Sequence, residues 1–126
     1  MTRFRRRGLA TSYTKLIAML ATRVLHWRIA PGRYLKEDRR WLPAWRFQPT
    51  VKIGDAFQLL EAASIEKYKI RAERKGMYVV TVTTSRAAGK GCEASLPLAI
   101  SLAVARAHGI KVDRLDDSPT RGISEA

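Results

Sequence analysis

The chain has 126 residues, with 24 Lys or Arg against 11 Asp or Glu, for a net charge of +13 with neutral histidines. That length fits one domain with a core of its own, and 46% apolar residues fit a folded globule rather than a disordered chain. No apolar run reaches membrane-spanning length, and the single cysteine excludes an intrachain disulfide, as suits a reducing compartment.

The charge is unevenly spread. Up to position 50, 12 basic residues face only Glu37 and Asp38, a surplus of +10. From Val51 onward, 12 basic and 9 acidic residues leave only +3. A positive field of this kind attracts polyanions whatever their sequence.

Residues 1–10 hold Arg3, Arg5, Arg6 and Arg7 with little to bury, and are expected to form a disordered basic arm. An acid-free, arginine-rich start superficially resembles a targeting segment. The helical pattern that continues through Arg23, Trp27 and Arg28 favours a plain basic tail on a cytoplasmic protein. After Thr11 or Ser12, Leu16, Leu20, Val24 and Trp27 recur at helical spacing, widened by Ile17, Ala21 and Leu25. That helix must stop before Pro31-Gly32.

The stretch 30–50 fits neither a helical nor a strand period. It mixes Tyr34, Trp41, Trp45 and Phe47 with Arg33, Lys36, Arg39, Arg40 and Arg46, and reads as a long irregular loop pinned by aromatic side chains. Trp41 and Trp45 are expected to tuck beneath it. Thr50 to Ser64 returns to helix, with Ile53, Ala56, Phe57, Leu60 and Ala63 on the core side and Asp55 near its positive end.

Tyr68 to Glu73 alternates as a half-buried strand does, and a turn at Arg74-Lys75-Gly76 leads into a Val/Thr-rich strand over Met77 to Thr84. Ser85 to Gly91 reads as a loop, and Cys92 to Ala94 as a short third strand. The last helix is capped by Ser95, carries Pro97 in its first turn and stops at Gly109. Residues 113–126, with Asp113, Asp116 and Asp117, are expected to be a disordered acidic tail. The fold expected is α+β, in the order α-α-β-β-β-α: one domain over 11–112, with a small antiparallel sheet packed against helices.

Chemistry leaves little trace in the sequence. Nucleophilic hydrolysis would need Cys92 or a serine with His26 or His108 as base and an orienting acid, and no spacing links such candidates. Metal-ligand spacings are absent, so no metal, cofactor or catalytic residue is assigned. Gly89-Lys90-Gly91 lacks the full phosphate-loop pattern and reads as a surface turn. Arginine interleaved with aromatic residues is the chemistry of single-stranded nucleic-acid binding. Arg3, Arg5, Arg6, Arg7, Arg33, Lys36, Arg39, Arg40, Trp41, Trp45 and Arg46 are therefore the candidate binding residues.

In ordered succession, Trp27, Trp41-Leu42-Pro43, Phe47-Gln48-Pro49-Thr50, Asp55-Ala56-Phe57, Gly91, Ala94 and Pro97-Leu98-Ala99-Ile100 resemble the small phage "ABA sandwich" proteins, over roughly Leu16 to Ile110. The arginine-rich arm and the segment Lys36 to Arg40 depart from that pattern. The resemblance implies an α+β fold and a phage or prophage context, and no residue-level activity. A weaker likeness to double-stranded RNA-binding domains rests on Gly89-Lys90-Gly91 before an alanine-rich helix. The lysines that family places at the helix start are replaced here by Ala94-Ser95-Leu96-Pro97.

The function expected is that of a non-enzymatic phage accessory protein acting by binding in the host cytoplasm, for instance on a host defence or regulatory protein. The alternative is a nucleic-acid-binding module using the arm and the basic residues of 33–46. A small Cys/His hydrolase is the outlying third reading.

Overall fold

The computed structural model describes residues 13–112; the basic arm and the acidic tail lie outside the described residues. In chain order, α1 (Thr14–Met19) runs on into a π-helical turn (Leu20–Val24). It is followed by β1 (Arg28–Ala30), β2 (Arg33–Leu35), β3 (Trp41–Pro43) and a 3-10 turn (Ala44–Arg46). Then come α2 (Ile53–Ala62), β4 (Lys67–Ala72), β5 (Tyr78–Thr83), β6 (Ala88–Glu93) and α3 (Leu96–Ala107). The fold is α+β, with helices and two antiparallel three-stranded sheets, β1-β2-β3 and β4-β5-β6.

The last helix is the centre of the molecule because its sequence is apolar or small all the way round. Ala99 through Ala105 and Ala107 are all buried. Ser95 caps it, its Oγ accepting the Leu98 N–H at 3.4 Å, and Gly109 ends it at φ +77°. The second sheet packs on one side of α3 through Val80, Val82 and the bare backbone of Gly89 and Gly91. A Cβ at Gly89 would overlap the Ala103 carbonyl and the Ala107 nitrogen, and one at Gly91 the Ala99 carbonyl. These glycines are therefore seating positions inside β6. The expected surface turn at Gly89-Lys90-Gly91 is not there, and the third strand begins at Ala88 rather than Cys92.

Leu16, Leu20, Ala21 and Val24 of the first helix and Ala56, Leu59 and Leu60 of α2 complete the core. Ser101 ties α3 to the segment before α2, donating from its buried hydroxyl to the Pro49 carbonyl at 2.8 Å. Asp55, in the first turn of α2, accepts the Gln48 N–H at 2.8 Å.

Four expectations need correction. The first helix stops before Pro31 as expected, but it does not reach Trp27: the Leu25 N–H reaches back to the Leu20 carbonyl at 3.0 Å, and His26 turns the chain at φ +62°. The stretch 30–50 is not an irregular loop, because a three-stranded meander occupies most of it. Pro31-Gly32 is its hairpin turn, joining Ala30 to its partner Arg33, with Gly32 at φ +73°. On α2 and at its C-cap, Ala56, Leu60 and Ala63 are buried as expected, but Ile53 is exposed and Leu59 fully buried, so the core face is rotated slightly from the expected one. Lastly, β4 is an exposed edge strand in which only Ile70 is half-buried, since α3 covers β5 and β6 instead.

Candidate binding face of the first sheet

Alternation along strands of three residues sorts the first sheet into two faces. Ile29, Tyr34 and Leu42 lie directly opposite one another in register and share one face. On that side Tyr34 is buried, at 6.0 Å from Phe47, and half-buried Trp27 leans on both at 5.9 and 4.9 Å between ring centroids. This triad, rather than the two later tryptophans, pins the segment to the core. Burial pushes the Tyr34 phenol above its ordinary pKa.

The opposite face holds the rows Arg28, Leu35, Trp41 and Ala30, Arg33, Pro43. The Arg33 guanidinium lies 3.9 Å from the centroid of the Trp41 ring, a close cation–π stack between neighbouring strands. Trp41 is 48% exposed and Trp45 68%, so neither tucks under the segment as expected. The register explains Trp41, which pairs with Leu35 and so points away from Tyr34 and Leu42. Trp45 sits in the 3-10 turn with the Arg46 guanidinium 6.0 Å from its ring centroid.

Between β2 and β3 the Lys36 N–H donates to the Arg40 carbonyl at 3.0 Å, closing a tight loop in which Arg39 takes φ +67°. Asp38 accepts the Arg40 N–H at 3.0 Å and lies 3.9 Å from its guanidinium, partly offsetting that charge. Lys36 is half-buried, its Nζ 6.0 Å from the Trp27 ring centroid. Of the candidate residues, Arg33, Trp41 and the loop cations thus gather on one sheet, with Trp45 and Arg46 just past its end. Arg3, Arg5, Arg6 and Arg7 lie outside the described residues. Arg28, which shares a row with Trp41, is an addition that only the strand register supplies.

The other side of Trp45 borders a cleft of about 450 Å³, lined mainly by Ile17, Tyr34, Phe47, Val51 and Leu98. Val51 at its rim is 70% exposed. A smaller cleft of about 220 Å³ gathers His26, Glu37, Gln58 and Ser64 over Trp27. The hydrolase candidates are dispersed. Cys92 is exposed on β6, and the two ring nitrogens of His108 lie 2.9 and 3.0 Å from the Val104 and Ala63 carbonyls, joining the ends of α3 and α2. No hydrogen bond joins Cys92 to either histidine among the described residues. Among those residues no group of three or more His, Cys, Asp or Glu gathers to hold a metal ion, and no helix is long and apolar enough to cross a membrane.

No protein-family model matches the chain, and no curated protein matches it. A solved structure does. The 2.0 Å crystal structure of a phage protein from Bacillus cereus ATCC 14579 superimposes with a TM-score of 0.58 at 19% identity, covering 74% of this chain and 88% of that one. The fold is therefore shared with a phage protein. At that identity the likeness carries the architecture alone.

Proposed function

We propose that the protein acts by binding, as a non-enzymatic accessory protein of a phage or prophage, and that the outer face of its first sheet binds single-stranded nucleic acid. The observation that carries this reading is the Arg33 guanidinium stacked at 3.9 Å on the exposed Trp41 ring. The guanidinium covers one face of the indole, and an unpaired base can stack on the planar surface this pair leaves exposed, with the charge beside it for the phosphate. Arg28 shares the row of Trp41, and Arg39 and Arg46 are exposed cations in the segments on either side of β3. The phage context is supported by the likeness in fold to a phage protein and by the resemblance to ABA sandwich proteins.

Titrating the protein with oligothymidylate tests this through its tryptophan emission, since stacking on indole quenches it. We expect quenching that weakens with salt and an affinity loss of about tenfold or more for Trp41→Ala, given roughly 1–3 kcal/mol per stacked base. Unchanged emission at low salt would overturn the nucleic-acid reading.

A second reading, capture of a host defence or regulatory protein, is favoured by one observation: the apolar cleft beside Trp45 and Val51 is open and rimmed by exposed side chains. A discrete protein retained from nuclease-treated host lysate, and lost with Trp45→Ala, would support that reading instead.

A further inference from the structure

The second sheet gives α3 only one of its faces. Val80, Val82, Gly89 and Gly91 point at the helix, so their neighbours in each strand point away from it. The register sets these neighbours in three rows: Lys67, Thr83, Ala88; Lys69, Thr81, Lys90; and Arg71, Val79, Cys92. Lys67, Lys69, Arg71 and Lys90 are all exposed, and the two threonines between them are half-buried. The Glu73 carboxylate pairs with Arg71, whereas no ion pair among the described residues engages Lys67, Lys69 or Lys90. Arg106 reaches the strand edge as well, donating to the Lys90 carbonyl at 2.7 Å.

We infer that this open face is a second track for nucleic acid, holding the phosphate backbone of a single strand. The inference rests on the nucleic-acid reading of the first sheet and extends it to a separate surface. Lys67, Lys69 and Arg71 recur every second residue, about 6.7 Å apart along an extended strand, which is of the order of the separation between successive phosphates. Lys90 stands two strands across from Lys69, with the Thr81 hydroxyl between them as a further donor to phosphate oxygen. The absence of an aromatic side chain from these rows makes this a backbone track, without base stacking. An anionic membrane fits less well, because interfacial binding needs large apolar side chains to insert and the exposed apolar members of these rows are only Ala88 and Cys92.

The chain carries its own reporters for the two faces. All three tryptophans, Trp27, Trp41 and Trp45, belong to the first sheet and its flanks, and the sole cysteine, Cys92, stands in the rows of the second. The test measures the rate at which a maleimide alkylates Cys92 in the full chain, with and without oligothymidylate, while following tryptophan emission in the same samples. We expect alkylation to slow several-fold. In Lys67→Gln/Lys69→Gln/Lys90→Gln, whose changes are all at exposed positions, the slope of log affinity against log salt should fall by about 2. Quenched tryptophan with an unchanged Cys92 rate would overturn this inference and leave the first-sheet reading standing. A slowed Cys92 with unchanged tryptophan would support the second track and remove the first. Equal slowing by polyglutamate at matched charge would overturn the phosphate assignment in favour of an acidic protein partner, and no effect on either reporter would overturn both readings.

Discussion

Two kinds of glycine do opposite jobs in this chain. Gly32 has open space where a Cβ would stand, so its role is conformational: φ +73° is a hairpin-turn geometry that other residues resist. At Gly89 and Gly91 the demand is for room, since any Cβ there meets the α3 backbone, which cannot rotate aside as a side chain can. Gly32→Ala should therefore cost about 1 kcal/mol. Gly89→Ala or Gly91→Ala should cost about 3 kcal/mol or more, because helix and sheet must separate. Urea unfolding measures both. A Gly91→Ala variant as stable as the parent would mean that α3 does not seat on β6 in this way.

Tyr34 makes a second prediction at this scale. Its phenol is buried, and desolvation disfavours the phenolate, raising the folded-state pKa above the ordinary 10.0. The unfolded chain therefore releases this proton first as pH rises. The stability linked to Tyr34 is intact below pH 10 and is lost as pH climbs from 10 through the folded-state value. Tyr34→Phe, which keeps the ring contacts with Trp27 and Phe47, should shift the midpoint of alkaline unfolding upward relative to the parent. An unmoved midpoint would show that Tyr34 ionises without strain in the folded protein.

Between elements, one buried hydroxyl has a large role. Ser101 donates to the Pro49 carbonyl across 52 residues of sequence and fixes α3 to the segment that leads from the first sheet into α2. In Ser101→Ala that carbonyl loses its partner in a dry environment, and a loss of about 1–3 kcal/mol is expected. Thermal unfolding reads it, and a change below a few tenths would mean that water replaces the hydroxyl.

Elements legible in the sequence were those long enough to show a period. The last helix, with Ser95, Pro97 and Gly109 marking its ends, follows directly from spacing and capping chemistry. So does the β4–β5 hairpin, where six residues on each side alternate around Arg74-Lys75-Gly76. The first sheet was hidden because three residues per strand give no countable alternation, and Pro31-Gly32 ends a helix as readily as it turns a hairpin. Composition marks Arg33, Trp41 and the loop cations in the sequence, but only the register puts Arg33 and Trp41 on one face with Arg28. The sequence pattern puts Trp41 and Trp45 inside because aromatic side chains commonly anchor loops. In the folded chain Tyr34, Phe47 and Trp27 already fill that place.

For the whole molecule, net charge conceals how charge is arranged. The chain beyond residue 50 is nearly balanced in number, yet four of its nine acidic residues (Asp113, Asp116, Asp117 and Glu125) lie outside the described residues. Among the described ones, Lys67, Lys69 and Lys90 still gather on one sheet face. A salt titration of binding to oligothymidylate separates one track from two. Each phosphate neutralised on a single strand contributes about 0.7 to the slope of log affinity against log salt. Four contacts on the first sheet alone give a slope near −3, hence about a fifty-fold loss between 50 and 200 mM salt. Adding three lysine contacts on the second sheet steepens it to about −5, hence a loss approaching a thousandfold. The expected slope for the full chain on a strand long enough to reach both sheets is the steeper one, falling to the shallower with a strand that spans only the first. A slope near −3 at every strand length would confine binding to the face built around Arg33 and Trp41, and a slope near zero would remove nucleic acid as the ligand altogether.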